Sequence, residues 1–98
     1  MASRIRLTVT ARRDLRSIYR FIAVDRQSPE NADRQIDFLF NKFEFLAKSP
    51  LMGELRDDLR PGLRVFSARS YVIFYRVVHS GISITRVVHG RRDWKRLF

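Results

Sequence analysis

Residues Arg4 to Val9 alternate polar and apolar side chains, the period of a strand with one buried face. Thr10 ends that run and offers a hydroxyl to cap a helix. From Ala11 the period lengthens: Leu15, Ile18, Tyr19 and Ile22 recur at helical spacing, with Arg12, Arg13, Arg16 and Arg20 on the other side. This predicts an amphipathic helix with an arginine-studded outer face. Ser28-Pro29-Glu30 then restarts the chain with a capping residue, proline at the first helical position and an acid in the first turn. The stripe Ala32, Ile36, Leu39, Phe40, Phe43, Leu46 and Ala47, widened by Phe38 and Phe45, predicts a second helix that touches both its sister and a sheet. Ser49-Pro50 stops it, because the residue before proline is driven out of helical geometry.

Residues 50 to 62 (PLMGELRDDLRPG) read as a loop with room for a short helical turn. Leu63 to Phe66 begins a strand, Tyr71 to Val78 forms a second and Ile82 to Val88 a third. His79-Ser80-Gly81 between the last two places a glycine where a tight hairpin needs positive φ. Tyr71 to Val78 is nearly apolar on both faces, which predicts a central strand. Asp93 to Phe98 leaves room for a short terminal helix. The order β-αα-βββ implies an α+β fold, a helical hairpin on one face of a mostly antiparallel four-stranded sheet, with a short C-terminal helical tail.

Length and composition narrow this further. Ninety-eight residues suit one domain spanning 1–98, and 45% hydrophobic with 12% aromatic residues supplies a core. With no cysteine and two histidines, disulfides and thiolate metal sites are excluded and zinc has few ligands; no cofactor or metal is expected. No apolar run approaches the roughly 18 residues of a membrane helix, and MASRIRLTV lacks the apolar core of a signal peptide, so a cytoplasmic protein without a membrane partner is expected. The net charge of +10 is uneven: residues 1–26 carry +5, residues 27–59 carry −3 and residues 60–98 carry +8. Basic ends favour acidic or polyanionic partners.

Chemistry-bearing groups are few. No cysteine nucleophile, glycine-rich phosphate loop or HExxH occurs, and Asp57-Asp58 reads as a solvated turn. His89 stands where the last strand ends and Gly90 follows; it suits either acid–base work or a strand-end packing role with its nitrogens satisfied by backbone. Arg91, Arg92, Lys95 and Arg96 surround Trp94, a mixture that can hold phosphates and stack a base or anchor an acidic peptide. Trp94, Leu97 and Phe98 can equally pin the tail to the core.

YVIFYR, the glycine-containing turn, Ser49-Pro50 with Met52-Gly53, Leu59-Arg60-Pro61-Gly62-Leu63-Arg64 and the closing HGRRDWKRLF together resemble ParE-type toxins of the RelE/ParE toxin–antitoxin superfamily. The resemblance covers nearly the whole chain. It implies a toxin that stalls DNA gyrase by binding and forms a hetero-oligomer with a ParD-like antitoxin, direct nucleic-acid contact being secondary. His89, Arg91, Arg92, Trp94, Lys95 and Arg96 are then the expected target-binding surface, and Arg12, Arg16 and Arg20 the antitoxin contacts. RelE-type relatives share the fold but cut messenger RNA, using basic sheet residues and, in many members, a terminal tyrosine. Here Leu97 and Phe98 stand where that tyrosine is expected and Val72 where a sheet arginine is often found. The corresponding ribonuclease set in this chain is Arg64, His89 and Arg91.

Overall fold

In the computed structural model, residues 4–98 are described. Met1–Ser3, the start of the segment read from the sequence as lacking a signal peptide's apolar core, lie outside those residues. Strand β1 (Arg4–Leu7) is followed by α1 (Val9–Arg20), a π-helical turn (Phe21–Asp25) and α2 (Pro29–Lys48). Strands β2 (Glu54–Leu55), β3 (Leu63–Ala68), β4 (Tyr71–Val78) and β5 (Gly81–His89) come next, then a 3₁₀ turn at Trp94–Leu97. The sheet order is β1-β5-β4-β3-β2, parallel only where β1 meets β5. The α+β fold expected from the sequence is present. A fifth strand is added by the two-residue β2, too short to show a period, which pairs with Val65 and Arg64 at the edge.

Helix boundaries differ in an informative way. The first strand ends at Leu7 and the cap is Thr8, not Thr10: the Thr8 hydroxyl accepts from the Ala11 N–H at 3.0 Å and donates to the Thr85 carbonyl at 2.9 Å. One side chain thus ends the strand, starts the helix and fixes both to β5. Ser28 precedes α2 as expected, but its side chain makes no cap bond; its carbonyl accepts from the Ala32 N–H.

Both faces of the sheet are covered. On one, Leu15 of α1 and Leu39, Phe43 and Leu46 of α2 bury Ile73, Tyr75, Ile82, Ile84 and Val87. On the other, Leu63, Val72, Phe74 and Val88 lie under Leu59, Trp94, Leu97 and Phe98. This is why β4 is apolar on both sides: Val72 and Phe74 face the tail, Ile73 and Tyr75 the helices. Phe40, placed in the α2 stripe by its spacing, stays 39% exposed at the rim.

Tyr75 also clamps the 50–53 segment. Its hydroxyl donates to the Pro50 carbonyl at 2.8 Å and accepts from the Gly53 N–H at 2.8 Å. The ring lies so close to Gly53 that a Cβ there would stand 2.6 Å from the hydroxyl, so only glycine fits. Burial pushes the phenol above its ordinary value, opposed by the Gly53 N–H and the Arg64 charge. The folded state therefore favours the neutral phenol, and this stability is present below the ordinary value of about 10 and is lost as pH rises through the raised one. Tyr75→Phe is expected to cost about 1.5 kcal/mol, because two backbone groups lose their partner. Urea melts at neutral pH and above pH 10 check both points, since the variant should lose less stability than wild type on the alkaline side.

Candidate functional site

His89 closes β5 opposite Tyr71, with the two rings edge to face at 5.8 Å. Gly90 ties this end down by donating its N–H to the Ser70 carbonyl at 2.7 Å. The Arg91 N–H then donates to His89 Nδ1 at 3.2 Å. Of the two roles open to His89 from sequence, the backbone contact is present at one nitrogen while the other stays free for a ligand. Both His89 and Arg91 are exposed and lie on the helical side of the sheet.

The terminal cluster does not form one patch. Trp94 crosses to the opposite face, 5.3 Å from Phe74 and under the Arg56 guanidinium at 5.6 Å. Phe98 packs on the same Phe74 at 4.8 Å and under Arg60 at 5.3 Å. The aromatic residues hold the tail, while Arg92, Lys95 and Arg96 point to solvent and Arg96 pairs with Asp93 at 3.1 Å. The intervening sheet separates Trp94 from the His89–Arg91 corner.

Arg64 lies elsewhere. It pairs with Tyr75, whereas His89 pairs with Tyr71 four residues away along β4. At about 3.3 Å per residue and 4.8 Å per strand, Arg64 and His89 are about 16 Å apart. The Arg64 guanidinium donates to the carbonyls of Gly53 at 2.8 Å and Leu51 at 3.4 Å, stapling the loop beside Tyr75. Arg64, His89 and Arg91 therefore do not converge on a single phosphate.

Arg12, Arg16 and Arg20 follow one another at four-residue intervals along α1, all exposed. Arg16 and Arg20 flank a groove of about 400 Å³ floored by Leu15, Tyr19 and Ile36 between the helices. Arg12 faces a separate cleft at the β1 edge, with Arg4 and Arg6. The stripe is thus continuous in sequence but opens onto two grooves. Beside His89, a larger cleft of about 800 Å³ adds Phe21, Arg26 and Tyr71, which sequence reading did not mark. Arg26 arrives there because the π-helical turn donates its N–H back to the Phe21 carbonyl at 3.0 Å, a register with no periodic signature.

Among the described residues, no helix is long and apolar enough to cross a membrane and no cluster of His, Cys, Asp or Glu has metal-binding proximity. A helical hairpin on this sheet with a short terminal turn is the α+β scaffold of ParE- and RelE-type toxins. It is similar to the chromosomal ParDE toxin–antitoxin system from P. aeruginosa, with a TM-score of 0.71 at 22% identity, covering 90% of this chain and 96% of that one. In sequence, the chain is 35% identical over 97 residues to Toxin ParE1 of Mycobacterium tuberculosis, 98% of each chain being covered. It is also 34% identical over 87 residues to Toxin RelE3 of Caulobacter vibrioides, covering 88% of this chain and 92% of the relative. The family model for the ParE toxin of the type II toxin–antitoxin system parDE matches residues 5–94. The chain belongs to this family of type II toxins, within a superfamily whose relatives carry both ParE and RelE names.

Proposed function

We propose that residues 1–98 act as a single toxin domain that inhibits DNA gyrase by binding it in the cytoplasm, and that a ParD-like antitoxin neutralises it in a hetero-oligomer. The observation that carries the choice of binding over cutting is the position of Arg64, committed to the Gly53 and Leu51 carbonyls and remote from His89. Cleavage of RNA needs a base for the 2′-hydroxyl and cations for the charge on phosphorus within one site. The tail supports the same reading. Trp94 and Phe98 are spent on Phe74, which leaves Arg92, Lys95 and Arg96 as solvent-facing cations on a fixed platform, with His89 and Arg91 at its corner. These are the residues assigned to the gyrase side.

The antitoxin is assigned to the helices. An acidic, amphipathic segment would lay apolar side chains over Leu15, Tyr19 and Ile36 and acids against Arg16 and Arg20, with Arg12 extending the contact toward β1. Induced expression of the toxin alone is expected to give filamentation and a DNA-damage response while protein synthesis continues. Prompt arrest of synthesis with cut messages would overturn the gyrase reading in favour of the ribonuclease.

A further inference from the structure

The cleft beside His89 has two chemically matched walls. On the helical wall, the Arg26 guanidinium stands 5.9 Å from the centroid of the Phe21 ring, which is 53% exposed. On the sheet wall, the His89 imidazole meets the Tyr71 ring edge to face. Arg91 stands at the rim, and Ser17, Asn31, Gln35 and Ser70 add neutral hydrogen-bonding groups. No carboxylate lines the cleft. The ion pairs among the described residues engage Arg56, Arg86 and Arg96, so the charges of Arg26 and Arg91 are unmatched.

Cations without acids favour a phosphate, since guanidinium groups bind phosphate oxygens through paired, charge-assisted hydrogen bonds. The exposed Phe21 ring, with the half-buried Tyr71 across from it, favours a flat ring beside the cations, because stacking rewards any base. The volume of about 800 Å³ lies in the range of small-molecule sites. The neighbouring cleft formed by Arg13, Arg16, Ser17 and Arg20 has three arginines to this one's two but presents no aromatic side chain. Charge alone therefore does not distinguish the His89 cleft; the Phe21 and Tyr71 rings beside Arg26 and His89 do.

We infer that this cleft binds a nucleoside monophosphate, with its phosphate held by Arg26, His89 and Arg91 and its base against Phe21 and Tyr71. The site lies on the helical side of the sheet, away from Phe74, and shares His89 and Arg91 with the surface proposed for gyrase.

The test is titration of the full chain with AMP, GMP, CMP, UMP and inorganic phosphate, followed by calorimetry and amide NMR. At least one monophosphate is expected to bind with a Kd on the order of 100 μM, shifting the amides of Phe21, Asn31 and His89. Arg26→Ala should weaken it about tenfold or more. Phe21→Ala should weaken the monophosphate while leaving inorganic phosphate unchanged. Four results would overturn the inference: no saturation at millimolar ligand with a native spectrum, inorganic phosphate binding as tightly as every monophosphate, equal losses in Arg26→Ala and in Arg60→Ala on the opposite face, or binding of a single-stranded oligonucleotide without any monophosphate.

Discussion

Gly81→Ala is expected to destabilise the protein by about 3 kcal/mol, lowering the melting temperature by roughly 15 °C for a domain of this size. Gly81 faces Arg4 across the parallel β1–β5 pairing, and an added Cβ would fall on the Arg4 carbonyl oxygen and 2.7 Å from its nitrogen. Backbone cannot step aside as a flexible side chain can. Relief requires β1 to leave β5, which loses the Arg4 N–H bond to the Ser80 carbonyl and loosens Ile5 and Leu7 from the helical core. The neighbouring position should respond in the opposite direction. Spacing assigns the hairpin's positive φ to Gly81, but Ser80 adopts it, at φ +70°. Ser80→Gly is therefore expected to be neutral or to stabilise by up to about 1 kcal/mol, since glycine carries no Cβ penalty there. Thermal melts of the two variants check the contrast, with hydrogen exchange at the β1 amides locating the damage. A stable Gly81→Ala with protected β1 amides would contradict the close approach.

Asp14→Ala should cost a comparable amount, about 3 kcal/mol. The register of β4 on β5 slips between Phe74 and Tyr75, so that Thr85 has no partner on β4. Asp14 of α1 fills that irregularity. Its carboxylate receives the Arg86 guanidinium through two bonds of 2.9 Å and the Val87 N–H through a third. With 11% of the Asp14 side chain and 19% of the Arg86 side chain exposed, removing the acid strands a cation and a backbone donor in poorly solvated surroundings. Arg86→Met combined with Asp14→Ala should recover part of the loss, because an apolar pair avoids the unpaired charge. Chemical denaturation of both variants measures this. If the double variant is no more stable than Asp14→Ala, the cost lies in the bulge contact rather than in the unpaired guanidinium.

These two positions also mark where the sequence stops being readable. Periodicity places both helices, the three long strands and the central role of Tyr71–Val78, because each signal is local and repeats. Gly81 looks like a turn glycine because its true constraint, Arg4, lies at the other end of the chain. Asp14 is only one acid in a charge count until Arg86, 72 residues away, is brought beside it. The same limit governs the candidate site. The terminal run from His89 to Arg96 is legible as basic and aromatic, but its division between two faces of the sheet depends on where Phe74 offers a surface. Arg26 and Phe21 carried no signal, since a π-helical turn shifts their directions off the helical period.

The claim that this toxin binds rather than cuts is tested most directly by supercoiling with purified DNA gyrase. Folded wild-type protein is expected to abolish supercoiling and to trap cleaved DNA on the enzyme, and an Arg91→Ala, Arg92→Ala variant with unchanged thermal stability should lose at least about tenfold in potency, as desolvated arginine contacts do at interfaces. Full gyrase activity in the presence of folded wild-type toxin would contradict the account.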